Sequence, residues 1–322
     1  MRAVVQDRFG PPGSLQVLDI DVPTPGPDDV LVRVHAAALN PADWHLLRGD
    51  PRVARLFGVG LLRPRRRVAG IDGAGRIEAV GDRVTSWRPG DEVFGFLKGS
   101  FAEFALADPR RIARRPVELG HLEAAVLPIA ATTALRAIRD VAAVEADQRV
   151  LINGAAGGVG SFAVQVAAGL GAEVTGVCSP SNIELVRSLG AAHVVDHTTT
   201  DVTTTGPYDV VLDNVGNHPA RRMRRVLTPA GTLVVNGGGS PGKVFGAVGT
   251  FLGATVLNTV VPQRLVPLAT KEHTADLDDV ARMVVDGRLA PVIDRTYPLA
   301  EVADGLGVIE SGRGRGKFVV QV

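Results

Sequence analysis

The sequence predicts an α/β protein in two parts, a barrel-like β-rich module and a doubly wound parallel sheet. Three observations carry the prediction. A strand, glycine turn, helix, strand unit occupies residues 149–178; strands and helices then alternate as far as residue 236; and β character fills the N-terminal third of the chain and returns from Pro291.

In chain order, residues 1–6, 15–22, 30–38, 68–80 and 92–96 alternate or run apolar between turns such as Pro23-Thr24-Pro25-Gly26-Pro27, as short strands of a barrel-like module do. Between the third and fourth of these, residues 40–50 are polar and dense in hydrogen-bonding side chains, the kind of loop that carries substrate contacts. Residues 119–141 turn helical, with Leu122, Ala125, Val126 and Ile129 on one face, and mark the crossing into the second part. Beyond the 149–178 unit come a helix at 182–189, strands at 193–195 and 208–212, a helix at 219–227 and a strand at 231–236. Residues 292–294, Tyr297 and 317–322 are β-like, and this tail is expected to rejoin the first module.

The central unit also points to a ligand. Val150-Leu151-Ile152 is a short apolar strand, and from Val159 to Leu170 the residues Val159, Phe162, Ala163, Val166, Ala167 and Leu170 recur at helical steps. Glycines between strand and helix let a pyrophosphate approach the backbone, and the helix N-terminus presents unpaired N–H groups and a partial positive charge. The GxGxxG pattern of dinucleotide sites falls on Ala155-Ala156-Gly157-Gly158-Val159-Gly160, with Ala155 in the first glycine's place and Gly154 just before it. The competing reading is a tight turn with close helix packing and no ligand.

An acidic residue at the end of the second strand would grip the ribose hydroxyls of NAD. This chain has Cys178-Ser179-Pro180-Ser181-Asn182 there. The absence of a carboxylate favours the 2′-phosphate of NADP, with NADH as the alternative, and Ser179, Ser181 and Asn182 are able to hydrogen-bond it or simply to cap the next helix. Asn214-Val215-Gly216 and Asn236-Gly237-Gly238 end predicted strands, where ligands lie in such sheets.

Composition removes other classes. The 322 residues suggest two domains, and a net charge of +1 gives no global field to recruit nucleic acid or a membrane, so neither is expected as a partner. Arg63-Pro64-Arg65-Arg66-Arg67 is a local basic cluster, read as a solvated loop or as a site for an anionic group or partner. A single cysteine, Cys178, allows no intrachain disulfide and no thiolate cluster, which fits a cytoplasmic protein. The N-terminus has no signal-peptide pattern. The apolar residues 244–261 are interrupted by glycines, threonines and Asn258, and read as buried or pocket-lining rather than membrane-spanning.

The assembled motifs, Asn40-Pro41-Ala42-Asp43-Trp44, Gly70-Ile71-Asp72-Gly73-Ala74-Gly75, Gly90-Asp91-Glu92-Val93, Gly99-Ser100-Phe101-Ala102-Glu103, residues 155–160, residues 209–216 and Gly316-Lys317, resemble the medium-chain dehydrogenase/reductases, in their zinc-independent, quinone-oxidoreductase-like branch. The resemblance implies a GroES-like β-barrel catalytic domain over residues 1–121 and 291–322, a Rossmann domain over 122–290, a cofactor between them and a homodimer. Zinc-dependent relatives need a cysteine where Asn40 stands and a histidine near Asp72, and the seven histidines here show no paired ligand spacing, so no zinc is expected. By resemblance, Thr133 and Lys317 approach the cofactor, and His197 stands where relatives place a tyrosine beside the 2′-phosphate. The same resemblance puts Asn40 at the acceptor oxygen or nicotinamide, Asp43 as the group fixing that loop, and His45 where relatives often have a tyrosine.

Without a metal to polarise a carbonyl, the reaction expected is hydride delivery from NADPH to a quinone or an α,β-unsaturated carbonyl. His45 is the candidate proton donor, because an unperturbed imidazole titrates near neutrality; the plain reading is an exposed loop histidine. The alternatives are an NAD(P)-dependent alcohol dehydrogenase and a non-catalytic NADPH-binding redox sensor.

Overall fold

A computed structural model describes residues 1–50, 55, 60–237, 253–255, 257–259, 261–268, 274–312 and 314–322. The elements begin with β1 (Arg2–Val5), β2 (Gln16–Asp19), β3 (Val30–Leu39), α1 (Pro41–Arg48), β4 (Asp72–Val80), β5 (Glu92–Lys98) and β6 (Phe104–Arg114). They continue through α2 (His121–Ala125), α3 (Pro128–Leu135), β7 (Arg149–Asn153), α4 (Gly158–Gly169), β8 (Glu173–Cys178), α5 (Ile183–Ser188), β9 (His193–Asp196), β10 (Tyr208–Asp213), α6 (Ala220–Met223) and β11 (Leu227–Val235). The last are β12 (Arg264–Pro267), α7 (Thr274–Val285), β13 (Ile293–Pro298), α8 (Val302–Glu310) and β14 (Lys317–Gln321). The chain divides into one unit of Met1–Thr132 with Glu272–Val322 and another of Thr133–Lys271.

In the first unit β3, β4, β5 and β6 pair antiparallel in sequence, and β6 returns to β3 through Val30↔Ala107 and Arg33↔Phe104, closing a barrel without free edges among these four strands. Val30, Val32 and Val34 point into its core by strand alternation; a bulge between Val34 and Ala36 shifts the phase, so Ala37 and Leu39 continue the same face. The expected return of the tail is seen in β14, which lies antiparallel on β3 with Phe318 opposite Leu39. That pairing sets Lys317 beside the start of α1.

The second unit is a parallel sheet in the order β12-β11-β10-β7-β8-β9. β7 is the first strand, β8 and β9 extend to one side and β10 to β12 to the other, so the direction of winding reverses between β7 and β10. Its middle strands are apolar on both faces, with Val150, Leu151, Ile152, Val210, Val211 and Leu212 all buried.

Several elements differ from expectation. The strand expected over 68–80 starts at Asp72, with Val68 making only a lone bridge to Val5. The helix expected over 219–227 is α-helical over Ala220–Met223 and tightens to a 3-10 turn over Arg224–Val226 before the chain enters β11 at Leu227. Residues 122–132 and α7, expected in the Rossmann unit, fall in the barrel unit. The reason is packing: Ala124, Ala125, Val126 and Leu127 are buried, α2 lies on β3 and β4, and α7 lies on β6. Gly238 and most of residues 244–261, the stretch expected to line a pocket or dimer seam, lie outside the described residues. Among the described residues no helix is long and apolar enough to cross a membrane.

Candidate functional site

At the end of the barrel, β3 runs into α1 through Asn40, whose extended backbone (φ −131°, ψ 154°) serves as the N-cap before Pro41. The Asp43 carboxylate reaches back to accept the Asn40 backbone N–H at 2.8 Å, one half of a capping box. The Asn40 side chain faces inward. Its amide donates to Asp72 at 3.0 Å and to the Ala38 carbonyl at 3.3 Å, and its oxygen accepts from the Lys317 ammonium, which also donates to the Leu39 carbonyl at 3.1 Å. Asp72 accepts a further bond from the Ile129 N–H at 3.1 Å. Asn40, Asp43, Asp72 and Lys317 are all buried, none above 4% exposed.

Four residues from β3, α1, β4 and β14 thus form one buried polar cluster. Burial, then the neighbouring Asp72, pushes the Asp43 carboxyl up to about 7, against the hydrogen bonds of Asn40 and the charge of Lys317. Burial pushes Asp72 up to about 6, opposed by Lys317, Ile129 and Asn40. Burial also pushes the Lys317 ammonium down, and the two carboxylates hold it up. Both carboxyls are thus held toward their protonated forms, and the charge of Asp72 acts on Asp43 while Lys317 opposes the shift in each. One oxygen of each carboxyl, Asp43 Oδ1 and Asp72 Oδ1, is buried without a hydrogen-bond partner among the described residues.

The structure brings Asn40, Asp43 and Lys317 together, with Asp43 holding the start of α1 through the Asn40 N–H. Both N–H groups of the Asn40 amide are engaged within the protein, and Lys317 is committed to Asn40 and Leu39. His45 lies two residues further along α1, where its ring meets Trp44 edge-on at 4.5 Å. It is half-buried rather than an exposed loop residue, its Nδ1 has no hydrogen-bond partner among the described residues, and burial pushes its imidazole below the ordinary value against the charge of Asp50.

In the Rossmann unit, Gly154 takes the left-handed conformation (φ +78°) that begins the turn, so Ala155 is free to be an ordinary buried residue in the first glycine's place. A Cβ at Gly160 would lie 2.0 Å from the Gly154 carbonyl oxygen, so helix α4 packs on the turn only because residue 160 has no side chain. Gly157 differs. An added Cβ would meet only the Gly154 oxygen at 3.4 Å, an ordinary contact, and no side chain caps the α4 N-terminus that begins after it. The Gly157 N–H is spent on the Gly154 carbonyl at 3.1 Å, but the room in front of Gly157 and the uncapped helix start at Gly158 and Val159 fit the phosphates of a dinucleotide.

The carboxyl ends of β7, β10 and β11 are tied by a network that the sequence reading missed. Asp213 Oδ1 accepts from Asn153 Nδ2 at 2.8 Å and from the N–H groups of Val215 at 3.1 Å and Gly216 at 3.0 Å, while Asn236 donates to Asn214 Oδ1 at 2.8 Å. Gly237 closes the end of β11, since a Cβ there would lie 2.1 Å from the Asn214 carbonyl oxygen. Ser179, Ser181 and Asn182 bond one another, Asn182 Nδ2 to Ser179 Oγ at 2.9 Å, and no side chain caps the short turn after Ser179. The His197 backbone N–H donates to the Cys178 carbonyl at 3.2 Å, which sets His197 beside the end of β8. It lines a 380 Å³ cavity with Asn153, Val177, Asp201, Asn217 and His218. Thr133 is buried on α3.

The barrel cluster does not suit a zinc ion. Its ligand set would be an amide and two carboxylates, and the Lys317 ammonium already supplies the positive charge among them. Among the described residues no group of three or more His, Cys, Asp or Glu side chains is placed to hold a metal ion.

Residues 26–117 match the family model described as alcohol dehydrogenase GroES-like domain, and residues 189–320 match the one described as zinc-binding dehydrogenase. The chain is 32% identical over 338 residues to the chloroplast envelope quinone oxidoreductase homolog of Arabidopsis thaliana, covering 100% of this chain and 98% of that protein. It is 32% identical over 333 residues to the human mitochondrial NAD(P)H oxidoreductase RTN4IP1, covering 92% and 82%. The solved quinone oxidoreductase from Coxiella burnetii superposes with a TM-score of 0.88 at 30% identity, covering 100% and 99% of the two chains.

Proposed function

The chain belongs to the medium-chain dehydrogenase/reductase superfamily, in its quinone-oxidoreductase-like branch, and from that premise we propose how its residues serve the reaction and which coenzyme they take. It is an NAD(P)H-dependent reductase of quinones or α,β-unsaturated carbonyls. The observation that carries the nucleotide part is the uncapped N-terminus of α4 behind a glycine, Gly157, that the turn itself does not require. Gly157, Gly158, Val159 and Gly160 hold the pyrophosphate there, and Ala155 backs it.

A bound reduced nicotinamide supplies the hydride. The chain's own residues orient, shield and manage the proton. Asn40 and Asp43 fix the first turn of α1, and with it the placing of His45. His45 delivers the proton to the acceptor oxygen when it carries one; because burial lowers its affinity for a proton, that route operates best on the acid side of neutrality. Asn214, Gly216 and Gly237, held by Asp213 and Asn236 at the strand ends, face the nicotinamide side, with Thr133 and Lys317 as further contacts by resemblance.

NADPH is the proposed coenzyme. The end of β8 carries no carboxylate to repel a 2′-phosphate, and Ser179, Ser181, Asn182 and His197 offer hydrogen bonds there. A cytoplasmic homodimer completes the reading, on family resemblance and cysteine usage. The test is to mix the purified protein with NADPH or NADH and a panel of quinones, enones and alcohols, and to follow nicotinamide absorbance. NADPH oxidation by quinones or enones, insensitive to chelator, is the expected result. Alcohol-dependent NADP reduction abolished by a chelator would overturn the metal-free mechanism, and tight NADPH binding without turnover on any acceptor would leave a sensor.

A further inference from the structure

The basic cluster of residues 63–67 has no part in the site above, and the structure shows how it is built. Its neck is held to the barrel unit: Val68 bridges Val5, the Gln6 N–H donates to the Arg67 carbonyl at 2.8 Å, and Gln6 Nε2 donates to the Arg66 carbonyl at 3.2 Å. The bend is closed at Gly60, whose left-handed backbone (φ +111°) allows the Arg63 carbonyl to sit where a Cβ would be, 2.0 Å away. On this anchored bend stand Leu61 and Leu62, 62% and 85% exposed, beside the exposed Arg63, Arg65 and Arg66.

Two adjacent leucines in water on a fixed protrusion are unfavourable unless something apolar covers them. The charges beside them indicate what covers them. Arg67 is paired with Asp7 at 2.8 Å, and Asp7 is also the acidic group that feels Arg63. Arg65 and Arg66 have no ion-pair partner among the described residues, and Arg66 adds its field to the half-buried Arg111. The patch therefore presents surplus positive charge around an apolar tip. Nucleic acid would match the arginines but not the leucines, and an apolar protein groove would match the leucines but not the unpaired arginines. A bilayer with anionic headgroups matches both, because leucines enter the acyl boundary while arginines stay at the phosphate level.

We propose that residues 61–66 dock this protein peripherally on anionic lipid surfaces, Leu61 and Leu62 inserting and Arg63, Arg65 and Arg66 meeting headgroups. The expectation of no membrane partner rested on the net charge of the whole chain, and a charge of +1 does not describe this local patch. Docking needs no turnover, so it stands or falls apart from the reductase reading.

The test is co-sedimentation of the full chain with vesicles of phosphatidylcholine alone and of phosphatidylcholine doped with phosphatidylserine, at low and high salt. Binding to the anionic vesicles only, weakened by salt, is expected. The triple change Arg63→Gln, Arg65→Gln and Arg66→Gln should weaken partitioning about 100-fold, equivalent to about 3 kcal/mol. The pair Leu61→Ser and Leu62→Ser should weaken it about tenfold. All five positions are exposed, and an unchanged melting temperature verifies that each variant folds. No binding to anionic vesicles, or binding indifferent to the arginines, overturns the proposal. Loss on the arginine changes with none on the leucine changes, together with equal affinity for duplex DNA, overturns it in favour of a general polyanion site.

Discussion

Replacing Asp43 by Asn removes a titrating carboxyl while keeping an acceptor for the Asn40 N–H that it caps at 2.8 Å. In the fold Asp43 holds a proton up to about 7, whereas the unfolded chain releases it near the ordinary carboxylate value of 3.8. Between those values the native state binds more protons than the unfolded one, so this group makes stability fall as pH rises. At about 1.4 kcal/mol per pH unit, the full interval is worth about 4 kcal/mol, and the electrostatic coupling to Asp72 and Lys317 brings the expected figure to about 2–3 kcal/mol. Urea unfolding of both proteins across the acid to neutral range measures it. Asp43→Asn should match the wild type at the acid end, gain on it steadily, and keep a constant advantage above about pH 7. Parallel curves for the two proteins would refute a protonated Asp43.

Lys317→Met strips the ammonium that faces two buried carboxyls and leaves the Asn40 and Leu39 oxygens without its hydrogen bonds, so urea titration at neutral pH should show a loss of about 3–5 kcal/mol, shrinking as the pH falls and both carboxyls protonate. Gly160→Ala drives a Cβ into the Gly154 carbonyl; a cost of about 1–3 kcal/mol and loss of coenzyme binding are expected by thermal melt and calorimetry, and unaltered binding would remove the turn from the site. Ser179→Asp places a carboxylate at the end of β8 and should turn the NADPH to NADH affinity ratio toward NADH by about tenfold or more, read by calorimetric titration. In His45→Phe the acid-side rise in kcat for enone reduction should disappear, and an unchanged pH profile would take His45 out of proton delivery.

The nucleotide turn was legible because all its determinants are local. Val150 to Gly160 specify strand, turn and helix within one short segment, and the glycine that takes the left-handed conformation sits one place before the aligned motif, as Gly154 suggested. The barrel cluster was not legible in the same way. Asn40, Asp72 and Lys317 lie 32 and 277 residues apart along the chain and meet only through the pairing of β3 with β4 and β14. A faint signal existed, since Asp72 and Lys317 are each followed by a run of small or apolar residues, Gly73-Ala74-Gly75 and Phe318-Val319-Val320, where a charge has to find a partner or a proton. The unit boundaries were misplaced for a related reason. The helical, alanine-rich stretch around residue 122 reads the same on either side of the border, and only burial against β3 and β4 assigns it.

Because Lys317 rides on the last strand, the barrel's charge balance is settled by residues that leave the ribosome after the whole Rossmann unit. Until β14 docks, a nascent barrel carries Asp43 and Asp72 with no counter-ion and an unzipped flank on β3. Such long-range closure is slow, so in vectorial synthesis a barrel begun before the Rossmann unit is completed only after it.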